Sequence, residues 1–312
     1  MSKIRPLVLI ASDLSTAAHD AYPYAAALAK AIDGRAVIIH ADELGPLVGA
    51  GAQALGRWLE RTATLQRDGA EAARAAFDAC GIHAEVRIEP GNPAEVIANY
   101  ADENAASYLV MAQHGSRRHH LFGSGGHSVV ADSLVPVLVV PNVRPDTVPS
   151  YRRAVVAIDL DDLSSVALSE AMALAEQIGA EVVSVVHGAD PTYFIPDPGF
   201  SANTPPLHLG RMPRHDPRIA AARQALEALR EKVGLGDIPM TVRDDAEPPA
   251  EILDHARQNQ ADILIVAGPH QGVINRFLST NRVDEILEMT DRPVLVLPRP
   301  YLVASGADAF EG

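Results

Sequence analysis

Cysteine is nearly missing from this 312-residue chain, which carries one, Cys80. A single thiol makes no internal disulfide and no cysteine-ligated metal cluster, and this fits a reducing compartment. Positive charge is scarce as well: 26 Lys and Arg stand against 40 Asp and Glu, for a formal net charge of −14. Such a chain repels nucleic acid and anionic membrane, so neither is expected as a partner. An anionic ligand would have to be held by a local site acting against the global field. Long apolar runs are absent too. The opening MSKIRPLVLIASD meets an Asp after a short apolar stretch and lacks a cleavage pattern, so the expected location is cytoplasmic. No GxxxxGK[ST], no HExxH and no Ser-His-Asp arrangement occurs, which removes a P-loop and those hydrolytic designs.

What is present is globular composition, 47% apolar and 21% charged, in a length that suits two domains. PVLVVP at 136–141 returns as PVLVLP at 293–298. The surrounding elements repeat with it. Apolar runs at 7–13, 35–41, 83–89 and 107–113 read as strands, and 154–160, 180–188, 239–245 and 262–268 answer them. Helical patterns at 17–32, 53–80, 93–104 and 126–134 correspond to 164–178, 217–233, 249–260 and 282–289. The first helix of each half stops at glycine, Gly34 or Gly179. PAEVI and PAEIL open the third helices. This alternation predicts an α/β class: two tandem open parallel five-stranded sheets with helices on both faces, for which the strand order 3-2-1-4-5 is assumed. The domains run 1–143 and 151–300, joined by a linker with two prolines at 142–153, and the tail past Pro300 is expected to be loose. Pro136 and Pro293 begin short, wholly apolar strands of the kind found at sheet edges. The repeated strand is therefore either a seam, between the halves or between two chains, or plain buried core.

In such sheets ligands bind beyond the carboxyl ends of strands 1 and 4. Asp13 closes strand 1 and Asp159 its counterpart. Asp13 could accept hydrogen bonds from a ribose or base, or cap the following helix. After strand 4 comes MAQHGSRRHHLFGSGGHS, 111–128, rich in glycine and leading into a helix. Its glycines let amides approach phosphate oxygens, and Arg117, Arg118, His119 and His120 supply local positive charge. His40 and His187 stand at equivalent strand ends. A Pro-rich insertion, 189–216, separates the halves in character.

Together these residues resemble the universal stress protein family in tandem form, over roughly 4–142 and 151–300. The resemblance implies an adenine-nucleotide α-hydrolase-like fold and the nucleotide pattern G-x2-G-x9-G-[ST]. Ala112 stands at the first glycine, Gly115 at the second, and Gly123-Ser124 closes the pattern after seven residues rather than nine. The implied binding set is Ala11, Ser12, Asp13, Ala41, Met111, Ala112, His114, Gly115, Gly123, Ser124 and Gly125. A weaker set in the second half is Asp159, Gly188 and Gly268, where Gln271 and Thr280 replace glycines. The implied function is a stress-response regulator binding ATP, with AMP and ADP as alternatives, together with Mg²⁺, in the first domain. A protein partner is expected but not identifiable. The domains should pair with each other, with a homodimer left open. The alternatives are an interaction or scaffold protein of the same fold without nucleotide, or a slow ATP hydrolase.

Overall fold

The computed structural model describes residues 5–42, 52–113, 129–141, 149–188, 217–243, 248–267 and 282–311. The first half supplies β1 (Leu7–Ala11), α1 (Tyr22–Ala31), β2 (Arg35–Asp42), α2 (Ala52–Asp78), β3 (Ala84–Pro90), α3 (Pro93–Glu103), β4 (Ala106–Ala112) and β5 (Val137–Val140). The second supplies β6 (Arg153–Ala157), α4 (Ser164–Gln177), β7 (Glu181–Gly188), α5 (Pro217–Val233), β8 (Met240–Arg243), α6 (Pro248–Gln258), β9 (Ile263–Ala267), α7 (Arg282–Met289) and β10 (Val294–Leu297), followed by α8 (Arg299–Glu311). Local chemistry sets the boundaries. Asn92 caps α3 by accepting the Ala94 N–H at 3.0 Å, ahead of Pro93 at the first helical position. Gly91 before it has φ 143°, which only glycine adopts easily, and a Cβ there would come within 2.9 Å of Val96. Gly179, at φ 76°, ends α4.

All ten strands form one sheet, ordered β3-β2-β1-β4-β5-β10-β9-β6-β7-β8. The first half has the expected order 3-2-1-4-5, and the second repeats it outward from the centre. Neighbours pair in parallel throughout, save at the centre. There β5 and β10 run antiparallel, with Val139 opposite Val294, Leu138 opposite Leu295 and Val137 opposite Val296. The twice-written strand is thus the seam between the halves, and it is fully buried as well. The two expected sheets are continuous across it. The prolines at the strand starts still accept from a parallel neighbour: Leu109 N donates to Pro136 O at 3.0 Å and Leu264 N to Pro293 O at 3.1 Å.

The tail corrects the expectation of looseness, and topology supplies the reason. In each half the first two helices cover one face and the next helix the other. On the first face Leu138, Val140, Leu295 and Leu297 are buried at the centre, in one cluster with residues of α1, α2, α4 and α5. Helix α8 joins that face. Leu302 is buried in the same cluster, Tyr301 hydrogen-bonds Glu170, and Gly306 sits against Val166 of α4. Two tyrosines also tie the halves: Tyr151 Oη donates to Tyr24 O at 2.8 Å, and Tyr108 Oη to Gln177 Oε1 at 2.6 Å. Among the described residues, no helix is long and apolar enough to cross a membrane.

Candidate functional site

The carboxyl ends of β1, β2 and β4 meet at one rim. Ala11 pairs with Ile39 on one side and Met111 on the other, and Ser12 N donates to Ile39 O at 3.0 Å. The chain then leaves the sheet through a turn built by its own side chains. Ser12 Oγ accepts Leu14 N at 3.0 Å and lies 2.9 Å from Tyr22 Oη. Asp13 Oδ1 accepts Ser15 N at 3.0 Å. This is the two-residue-forward bond typical of Asx turns, so Asp13 closes its own turn rather than capping α1, and it remains exposed at the rim. Leu14 takes φ 58° and presses on α2 at Gly69, where an added Cβ would lie 3.1 Å from Leu14 Cβ. Burial pushes the Tyr22 phenol up to about 12, with Asp13 adding to the rise and Ser12 opposing it. It therefore stays a neutral hydroxyl beside the turn.

His40, at the end of β2, places Nδ1 2.9 Å from Ser12 O. A carbonyl oxygen only accepts, so Nδ1 carries the hydrogen. Ala41 and Asp42 follow, and Gly91 N donates to Asp42 O at 3.2 Å while Gln66 of α2 donates to the Asp42 carboxylate. The structure thus brings Ala11, Ser12, Asp13, Ala41, Met111 and Ala112 to one rim. His114, Gly115, Gly123, Ser124, Gly125 and Gly268, and the insertion 189–216, lie outside the described residues.

At the end of β4, Gln113 is buried, and its role is invisible in the sequence. Its backbone N donates to Val140 O at 2.7 Å, and its side-chain amide donates to Leu287 O and, at 3.1 Å, to Glu288 O. Those carbonyls end α7 of the other half and have no partner within their helix. Register also realigns the halves. Ala112 faces Val140 as Ala267 faces Leu297, so Ala112 corresponds to Ala267, and Gln113 to the residue after it, Gly268. Ala112 and Gly268, both matched to the first glycine of the pattern, differ by one place in the sheet.

The second half keeps the bonds at the strand end but leaves by a different turn, without a left-handed residue at Leu160. Ile158 N donates to Val186 O at 2.9 Å and His187 Nδ1 to Ile158 O at 2.8 Å. Ser164 Oγ lies 2.9 Å from Asp159 O, and Arg299 of α8 pairs with Asp162 at 3.1 Å and Asp161 at 3.6 Å. Packing accounts for the glycine at 188, since a Cβ there would meet Pro248 Cβ at 3.0 Å. Farther out, Ser184 Oγ lies 2.9 Å from His255 Nε2, superficially a nucleophile and its base. Arg243 Nη2 donates to His255 Nδ1 at 2.9 Å, however, so the neutral imidazole carries its hydrogen on Nε2 and cannot take a proton from Ser184. The Ser184 hydroxyl donates instead to Pro239 O, 3.2 Å away.

The model of the universal stress protein family matches this chain twice, at residues 7–141 and 150–298. A universal stress protein of Methanocaldococcus jannaschii is 26% identical over 144 residues, 45% of this chain and 84% of that protein. Among solved structures, a universal stress protein from Archaeoglobus fulgidus superposes with a TM-score of 0.65 at 19% identity, covering 94% of this chain and 98% of its own. A Pseudomonas aeruginosa protein described as functionally unknown gives 0.58 at 11% identity, covering 99% and 98%. At these identities the likeness speaks for the fold.

Proposed function

Since this chain belongs to the universal stress protein family in both halves, we propose that it is a stress-response regulator that binds an adenine nucleotide in its first half. The observation that carries the reading is the exposed Asp13 carboxylate, fixed on a locked turn where β1 and β4 part from the rim. That is where open α/β sheets receive ligands. A carboxylate there accepts from ribose hydroxyls or a base N–H. The backbone of Ala41, on the adjoining strand, is suited to the adenine edge, with Ala11, Ser12, Met111 and Ala112 forming the floor. Amides of His114, Gly115, Gly123, Ser124 and Gly125 would face the phosphates, which bring Mg²⁺ with them. The second half would bind weakly or not at all. Its counterpart turn is engaged by Arg299, and Gly188 is filled by packing.

Calorimetric titration of the whole chain with ATP, ADP and AMP tests this. Saturable heat is expected with ATP, and Asp13→Ala and Gly123→Asp should each weaken binding about tenfold or more, one charged hydrogen bond being worth about that much. No heat at millimolar nucleotide with folded protein would end the proposal. Unchanged affinity in both variants would leave binding intact but move the site. One observation supports a second reading, an interaction protein without nucleotide. Gln113, where the glycine pattern begins by register, spends its side chain on joining the halves.

A further inference from the structure

We infer that His40 is a positioning residue of the candidate site: its Nδ1–H bond to the Ser12 carbonyl holds the turn that presents Asp13. His187 does the same for the turn carrying Asp159. The use of that turn for nucleotide rests on the reading above; the positioning itself does not.

Three observations carry it. First, the Ser12 carbonyl lies one residue past the last paired residue of β1, where the ladder to β2 and β4 has ended. It needs a donor from elsewhere, and His40 supplies one at 2.9 Å from the strand alongside. Second, the bond recurs in the other half at 2.8 Å although its surroundings have changed. Ser12 brings a hydroxyl that binds Leu14 N and Tyr22, whereas Ile158 is a buried aliphatic residue with no such bonds. The imidazole–carbonyl bond is kept at equivalent positions of both halves. Third, the turn contains a leucine at φ 58°, which an L-residue adopts only when its neighbours enforce it. Fixing the Ser12 carbonyl sets the plane of the peptide that enters Asp13, and so the direction in which Asp13 leaves the strand. His40 need not touch the ligand to govern affinity.

The test uses the full chain carrying His40→Asn, His40→Leu or His187→Leu. The asparagine amide nitrogen stands as many bonds from Cα as Nδ1 of histidine, so it can restore the donor; leucine cannot. Two readouts are taken. In ATP titration, His40→Leu should raise Kd about tenfold, as expected for loss of one aligning bond, while His40→Asn stays within about threefold and His187→Leu within about twofold. In nucleotide-free protein, amide exchange at Leu14 and Ser15 should quicken about tenfold in His40→Leu but not in His40→Asn. His187→Leu should leave those two amides unchanged. Wild-type exchange rates in His40→Leu, or an asparagine variant as impaired as the leucine one, would overturn the positioning role. If the wild-type protein binds no ATP, the nucleotide reading falls by itself, and the exchange measurement still decides the role of His40.

Discussion

His255 shows what single residues contribute that the sequence conceals. Arg243 donates to its Nδ1, its Nε2–H points at Ser184 Oγ, and Ser184 donates onward to Pro239 O. Burial, and then Arg243, lower its pKa below the ordinary 6.5. Protonation would aim a second N–H at the guanidinium, which Glu251 faces at 3.8 Å. In the unfolded chain His255 protonates at its ordinary value, before the folded protein does. Its contribution to stability is therefore full above about pH 6.5 and shrinks as pH falls toward the lowered folded value. Urea unfolding at pH 7.5 and 5.5 should show a larger acid loss in wild type than in His255→Leu; equal losses would remove His255 as the cause. DHARQNQ holds Gln258 and Asn259, which touch Arg243 and His255, but it does not announce the network, because Ser184 and Arg243 come from β7 and β8. The same holds for Gln113, 174 residues from Leu287, and for the His40 bond to Ser12. The place of Asp13 was legible because it is local, a carboxylate at a strand end; the bond by which it closes its own turn was not.

At the scale of elements, what could be read was what each segment needs for itself. Strands β1, β5, β9 and β10 are uninterrupted apolar runs and β4 is broken by Ser107 alone, as suits strands buried on both faces. Their parallel pairing followed from alternation with helices. Helix α8 escaped notice because its cause lies elsewhere: YLVASGADAFEG reads as a short apolar run broken by Ser-Gly, and its packing partners Val166 and Glu170 lie in α4. If that packing holds it in place, the buried side of α8 should carry its energy. Leu302 is 2% exposed and Val303 51%. Leu302→Ala should cost about 2–5 kcal/mol, the range for emptying a buried leucine site, and Val303→Ala within about 0.5 kcal/mol. Denaturant midpoints with unchanged slope would check it. Equal small effects in both would mean that α8 lies on the sheet without holding it.

At the scale of the molecule, duplication brings a hazard and its cure together. A half that ends on a short, bare, apolar strand exposes backbone donors and acceptors to any similar edge. A chain that carries the strand twice can pair the copies internally, and antiparallel register lets Leu138 and Leu295 stand opposite each other in a single core. That core passes from Val8 and Ile38 in the first half through Leu138 and Leu295 to Val185 and Val242 in the second. Two repeats sharing a sheet and a core should not melt separately, unlike two domains on a linker. Calorimetry should give one transition, with calorimetric and van't Hoff enthalpies in agreement. Leu295→Ala, though in the second half, should lower by the same amount the midpoint read from amide exchange of first-half core residues such as Val8 and Ile38. Two resolved transitions, or a first-half signal indifferent to Leu295, would mean the seam joins backbones without coupling stabilities. The repeated PVLV strand would then be two edges placed side by side rather than the structural centre of the fold.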